Sequence, residues 1–283
     1  MRGNSTIQGR REFYGDESLG SHAEKNWGDI VLRTCHTVGE FRQVLALQKE
    51  VWGFDDIDLI PPRLFVVGEK IGGYVLGAYA NAANGVTNST LVAFSFALPG
   101  MRDGHPYIHS HMLAVKETHR NTGLGREMKL FQRELAISQG YDLIEWTFDP
   151  LEIKNAFFNM EKLGAVVRRY VVNQYGITSS PLQGGLPSDR LIAEWWLRSR
   201  RVEETLAFGR RPEIAIVACV GIPGEISRWK AQAETRTRAA EVQRRTRDLL
   251  QKHFAEGLSV VGYEREANGD GRFLLGQWSQ AAL

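Results

Sequence analysis

Residues 115–131 read VKETHRNTGLGREMKLF. They set two glycines among cations at the point where an apolar run ends and a helical pattern begins. A strand that passes through a glycine-bearing turn into a helix builds an anion site. Glycine lets the backbone come close to a ligand and take positive φ. The first amides of a helix have no intrahelical partner, and the helix dipole favours negative charge beside them. Phosphate is the natural ligand of such a turn. Two familiar phosphate loops are absent: no GxxxxGK[ST] run occurs, and Gly123–Leu124–Gly125 lacks the third glycine of GxGxxG.

Other residues near this stretch could move protons. His109 and His111 share one face of PYIHSHMLAV by the two-residue strand period. Either imidazole is suited to relay a proton near neutral pH. Glu145 sits mid-strand in YDLIEWTF, where an unpaired buried carboxylate is costly. A pocket-facing base explains it, and so does a salt-bridged glutamate. His105, His109 and His111 supply three imidazoles, but neither the helical HExxH spacing nor a nearby cysteine accompanies them, so no metal is expected.

These residues need strands and helices to position them. DIVLRTC reads as a strand, and VGEFRQVLALQKEVWG as a helix with Phe41, Val44, Leu45 and Leu47 at helical spacing and Gly53 as its stop. The prolines of LIPPRLF predict a non-helical connection. GGYVLGAYA and STLVAFSFALPG flank NAANGVTN, whose Asn-Gly signal predicts a hairpin. REMKLFQRELAISQG follows the glycine turn as a helix, with Leu124, Met128, Phe131 and Leu135 on one face and Gly140 closing it. DPLEIKNAFFNMEKLG reads as a further helix, with Asp149 as N-cap, Pro150 at the first position and Glu152 completing a capping box. AVVRRYVV and RLIAEWWL are strands separated by the Gly/Ser/Pro-rich GITSSPLQGGLPSD. Beyond Arg201 come a strand, EIAIVACVG, one long charged helix, and two closing strands, LSVVGYERE and GRFLLGQW.

The 283 residues divide into a loose polar tail over 1–28, a domain over 29–200 and an α/β extension over 201–283 that packs on the core or meets a second copy. The net charge of +2 gives no global drive toward nucleic acid or anionic membranes. No apolar run reaches the ~18 residues of a membrane helix, and residues 1–26 contain no secretory h-region. Cys35 and Cys219 are far apart and read as buried hydrophobes in a reducing cytoplasm. Arg236, Arg238, Arg244, Arg245 and Arg247 read as the solvated face of the long helix.

Arg120-x-x-Gly123-x-Gly125 resembles the R/Q-x-x-G-x-G/A signature of the GNAT superfamily of acyl-CoA-dependent N-acyltransferases. HMLAV resembles the family's fourth strand, DLIEWTF its fifth, and NAFFNMEKLGA its later helix, in the same order across residues 29–200. The resemblance implies an α/β fold with a mixed, mostly antiparallel central sheet and flanking helices, to which the C-terminal strand, long helix and two strands are added. It implies a cleft where the fourth and fifth strands part at a bulge. Acetyl-CoA or another acyl-CoA would lie there as co-substrate. Its pantetheine arm would pair with Leu113, Ala114 and Val115, its pyrophosphate would rest on Arg120, Asn121, Thr122, Gly123, Leu124, Gly125 and Arg126, and Asn155 would touch the arm. Lys129 would add charge near the phosphates. An amide near Leu113 or Ala114 would polarise the thioester carbonyl, and a small-molecule amine would attack it directly. Glu145, His109 and His111 are the candidate proton carriers. Tyr175 and Arg190, on the loop that overhangs the thioester, would hold the acceptor. The sequence departs from the family at Met160, where many members have a tyrosine that protonates the leaving thiolate. A catalytically degenerate acyl-CoA-binding protein is therefore the alternative.

Overall fold

The computed structural model describes residues 23–80, 89–177 and 179–278. The loop expected at 81–88 lies outside them. Among the described residues, eleven strands form one sheet in the order β1-β2-β3-β4-β5-β6-β8-β7-β10-β11-β9. The strands are β1 (Glu24–Trp27), β2 (Ile30–Thr34), β3 (Tyr74–Ala80), β4 (Thr90–Arg102), β5 (His105–Val115), β6 (Leu143–Phe148), β7 (Val166–Val171), β8 (Arg190–Trp196), β9 (Ala218–Ile222), β10 (Ser259–Arg265) and β11 (Gly271–Gly276). All neighbours are antiparallel except β5 and β6, which are parallel. This is the mixed, mostly antiparallel sheet expected from the sequence. Residues 24–27, assigned to the tail, instead pair with β2 and extend one edge.

Helices cover both faces. On one face α1 (Val38–Trp52) and α2 (Pro62–Lys70) bury Phe41, Val44, Leu47 and Phe65 against Phe94 and Phe96 of β4. A capping box opens α1: Thr37 accepts from the Glu40 amide at 3.3 Å, and Glu40 accepts from the Thr37 amide at 2.9 Å. The prolines do not keep α2 from forming. Pro62 is its first residue, where a helix needs no amide donor. On the opposite face α3 (Leu124–Ser138) buries Leu124, Met128, Phe131 and Leu135, the predicted stripe.

Residues 149–164 depart from the predicted continuous helix. Only α4 (Ile153–Phe157) is α-helical, and Phe158–Lys162 widens into a π turn. No capping box forms. The Asp149 carboxylate accepts from the Leu151 amide at 2.8 Å and from Lys230 at 2.8 Å, while Glu152 turns to Lys230 at 2.9 Å instead of back to the helix start.

The segment beyond residue 200 contributes α5 (Arg200–Phe208) and adds three strands to the far side of the sheet, with β10 meeting β7 at Val260 and Val167. The expected strand over 213–221 is shorter, beginning at Ala218. The expected single long helix is two, α6 (Ile226–Ala231) and α7 (Arg236–Ala255), because Gln232 is extended and the Thr235 hydroxyl turns back to the Trp229 carbonyl at 3.2 Å. Cys35 is buried, and its thiol is pushed up to about 12 by desolvation. Cys219, also read as buried, is exposed on β9.

Lys230 joins the extension to residues 149–152 through two carboxylates, and it is itself buried. Lys230→Met leaves Asp149 buried without its cation, and we expect a loss of ~3–5 kcal/mol, the range for breaking a buried pair. Urea unfolding at pH 7 measures it. A change below about 1 kcal/mol would show that the pair holds nothing together.

Candidate active site

β5 and β6 touch only briefly. Ile108 pairs with Ile144 and His109 with Glu145, and the strands then part. The cause is local to β5. Against β4, Ala97 pairs with Ser110 but Phe96 pairs with Met112, so His111 is an extra residue, a bulge that bends the strand. Beyond it, β5 stays bonded to β4 and leaves its other edge open. The Lys116 amide donates to the Val92 carbonyl on the β4 side at 2.8 Å. Counting back by two, the amides of Leu113 and Val115 face the open edge.

That edge runs into the glycine loop. The short 3-10 turn Glu117–His119 leads to Asn121 at φ 61° and Gly123 at φ 99°, and Gly123 caps α3. Positive φ at Gly123 is strained for any side chain. The carbonyl of Gly123 accepts the amides of Arg126 and Glu127. Thr122 bonds the His119 carbonyl at 2.8 Å and receives the Leu124 amide at 3.4 Å. The amides of Asn121, Thr122, Gly123 and Gly125 donate to nothing among the described residues. They stand together at the positive end of α3. A Cβ at Gly125 would meet only Val115 Cγ2, at 3.7 Å, so packing does not require this glycine. Arg120 donates through Nε to the Val115 carbonyl at 3.1 Å, which fastens the loop to the end of β5. Arg126 flanks it, 3.6 Å from Glu127. Asn155 is exposed on α4, with no side-chain partner among the described residues.

Lys129 does not join the phosphate loop. It is buried on the α3 side of the sheet, where Nζ donates to Ser110 at 2.9 Å and Gln132 at 3.1 Å and lies 3.8 Å from the centre of the Trp146 ring. Among the described residues no carboxylate balances it, and burial lowers its pKa to about 7.

His109 and His111 both lie on the α1/α2 face, their ring centres 5.9 Å apart. His111 meets Phe96 edge to face at 6.1 Å. Desolvation lowers His109 to about 4, helped by the nearby His111 and Lys129, and desolvation also lowers His111. Both rings are neutral at pH 7. His105 lies at the start of β5 and turns to the Asp103 carbonyl at 2.9 Å. Among the described residues no three His, Cys, Asp or Glu side chains are placed to hold a metal ion.

Glu145 is paired. Its Oε1 accepts from Arg102 and, at 2.6 Å, from Arg169. Two guanidiniums therefore already engage the side chain that the sequence offers as a proton carrier. Met160 is fully buried, so no acidic side chain occupies the tyrosine position.

The loop between β7 and β8 lies over the cleft. The Tyr175 hydroxyl is 3.2 Å from Thr147 on β6, and Arg190 lies 5.6 Å from the centre of the Tyr175 ring. The loop is tied to the α1–α2 connection by Ser179 to Asp58 at 2.5 Å and Ser180 to the Trp52 carbonyl at 2.8 Å. Its base is held by Asp189, which is fully buried and takes bonds from Tyr170, the Asn173 amide and Arg247 of α7. Arg247 therefore positions a loop and is not simply solvated.

No known family's sequence model matches the chain, and no curated protein matches it. Solved structures resemble it in fold. One is a ribosomal-protein-S5-alanine acetyltransferase of Vibrio fischeri, 9% identical with TM-score 0.48 over 62% of this chain and 97% of its own. Another is Arabidopsis thaliana Naa50 in complex with the bisubstrate analogue CoA-Ac-MVNAL, 13% identical with TM-score 0.44 over 59% and 97%. A third is the ribosomal-protein-S18-alanine N-acetyltransferase of Escherichia coli, 13% identical with TM-score 0.44 over 58% and 92%.

The two perturbed groups give separate pH signatures. An unfolded histidine titrates near ~6.5. His109 is lowered to about 4, so from about 6.5 down to about 4 the unfolded chain binds a proton that the native chain does not, and stability falls with falling pH. His109→Gln should flatten this slope by up to about one proton in urea unfolding between pH 4 and 7; an unchanged slope would contradict the assignment. Lys129 is likewise lowered, from ~10.4 unfolded, so native stability rises between about pH 7 and 10. The stability of Lys129→Met relative to wild type should be greatest at pH 6 and shrink toward pH 10. A constant difference would mean that Lys129 is not desolvated.

Proposed function

We propose that the chain is an acyl-CoA-dependent N-acyltransferase, with acetyl-CoA as donor and a small-molecule amine as acceptor. One observation carries the reading. Four uncommitted amides at the start of α3 continue directly into a strand edge that β6 has left open. A ligand with a pyrophosphate at one end and an amide-bearing arm at the other matches both halves. In this reading the pyrophosphate rests on Asn121, Thr122, Gly123 and Gly125, with Arg120 and Arg126 adding charge. The pantetheine arm pairs with Leu113 and Val115, as a strand would. Asn155 reaches the arm from α4. The thioester comes to the bulge, where the Leu113 amide polarises its carbonyl.

The chemistry needs little more. An acceptor arriving as an ammonium gives one proton to the His111 imidazole, which burial keeps neutral but also makes a weaker base, so the transfer is uphill and is drawn forward by the attack that follows. The free amine attacks the thioester carbon. The C–N bond forms and the C–S bond breaks. The second amine proton leaves with sulfur as the CoA thiol, and His111 returns its proton to solvent. A thiolate is a tolerable leaving group, since a simple thiol has a pKa of ~8.5, so Met160 does not stop the reaction. Tyr175 and Arg190 border the acceptor's path over β6.

Calorimetric titration with acetyl-CoA tests the reading. Wild type should bind with a stoichiometry of about one. Gly125→Glu puts a negative side chain at the loop without a packing clash, so it should fold normally by its melting curve yet bind at least about tenfold more weakly, ~1.4 kcal/mol. Equal affinity in the two proteins would refute it. His111→Gln should slow thiol release from acetyl-CoA in the presence of amines while leaving acetyl-CoA affinity near wild type.

A further inference from the structure

A pocket of about 780 Å³ opens at the ends of β5 and β6 remote from the glycine loop. Ile144, Trp146, Ala193 and Trp195 bury themselves on the α3 side, so the alternate residues of β6 and β8 turn to the opposite face, where Leu143 and Trp196 line the pocket. Tyr107, near the start of β5, adds a further wall. From Tyr107 to Val115, where the glycine loop takes over, β5 runs on the order of 25 Å at ~3.3 Å per residue. The pocket is therefore a different place from the acyl-CoA cleft. Its volume lies within the ~300–1,000 Å³ range of small-ligand sites.

Three arginines line it, and buried carboxylates hold them from beneath. A register shift between Val167 and Arg169 lets two successive residues, Arg168 and Arg169, reach the pocket, and Arg102 reaches it from the end of β4. Glu145 Oε1 accepts from Arg102 Nη1 and from Arg169 Nη2. Glu194 Oε2 accepts from Arg168 through Nε at 3.1 Å and Nη2 at 2.5 Å. The Glu145 and Glu194 side chains are only 4% and 1% exposed, whereas those of Arg102, Arg168 and Arg169 are 28%, 35% and 40% exposed. The guanidiniums thus stand between the carboxylates and the open space. Each keeps a terminal nitrogen free: Arg102 Nη2, Arg168 Nη1 and Arg169 Nη1 donate to nothing among the described residues. Arg168 also lies 5.2 Å from the centre of the Trp278 ring, which stacks near Trp196. Three guanidiniums against two carboxylates leave one positive charge. At the rim Arg198 cancels Asp142, while Asp103 and His105 are exposed turn residues whose charge water screens.

We propose that this pocket is a second binding site, apart from the acyl-CoA cleft, for an organic carboxylate with an aromatic body. The carboxylate takes the free N–H groups of Arg102, Arg168 and Arg169 in charge-assisted hydrogen bonds. The aromatic body lies against Tyr107, Leu143 and Trp196. One surplus positive charge matches a monoanion; a phosphate dianion would leave a negative charge uncompensated above two buried carboxylates. Glu145 and Glu194 already order the guanidiniums, so a ligand finds its donors fixed and loses little affinity to ordering them. None of this depends on the transferase reading.

The test is calorimetric titration of the full chain with phenylacetate, phenylacetamide, acetate and phenyl phosphate. Phenylacetate should bind saturably, at least about tenfold more tightly than the amide, which lacks the charge, and than acetate, which lacks the ring. No binding of phenylacetate, an amide or acetate that binds as tightly, or phenyl phosphate binding more tightly than phenylacetate overturns the proposal. This comparison is made on wild type and needs no variant. Arg102→Gln removes free donors while Arg169 still holds Glu145, so with an unchanged melting curve it should weaken phenylacetate at least about fivefold and leave the amide unaffected. Unchanged phenylacetate affinity in that folded variant would also overturn the proposal. Saturating CoA should leave the phenylacetate affinity within about twofold. Displacement of phenylacetate by CoA would put it in the cleft and remove the second site.

Discussion

One extra residue in β5, His111, governs the arrangement of this molecule. The bulge bends the strand away from β6 after two paired positions and leaves backbone donors and acceptors along Leu113 to Val115 without a neighbouring strand. Unpaired backbone groups inside a protein are costly unless something bonds to them. The open edge ends at the glycine loop, whose amides also lack partners. A ligand with hydrogen-bonding groups along one arm and negative charge at its end satisfies both deficits at once. Helices on both faces and a sheet continued beyond β6 keep the two strands apart.

Much of this was legible in the sequence. The glycine turn, the helix stripe and most strand spans follow from local rules that hold whatever the tertiary context: helical spacing, alternation and the conformational freedom of glycine. The failures were where distant contacts prevail. Glu152 looks like half of a capping box until Lys230, far along the chain, draws it away. The break between α6 and α7 carries no glycine or proline to announce it. Arg168 and Arg169 look like alternate faces of a strand, and only the register shift puts both on one side. Glu145 was recognisable as an anomaly from its place in a strand, but its partners, Arg102 and Arg169, come from two other strands that the sequence does not bring together.

The buried charges on the two faces of the sheet differ in kind. On the α3 side Lys129 has only neutral partners and a lowered affinity for its proton. On the opposite side Glu145 and Glu194 bond to arginines, and desolvation lowers the proton affinity of His109 and His111 on the same face. The extension supports this face indirectly, because Arg247 of α7 secures Asp189 and with it the loop that carries Tyr175 and Arg190.

Amide chemical-shift mapping of the 15N-labelled full chain during titration with CoA tests the central claim most directly. The account predicts saturable shifts concentrated at Asn121, Thr122, Gly123 and Gly125 and continuing along Leu113 to Val115. Saturable binding with those amides unmoved, or no binding by folded protein, would contradict it.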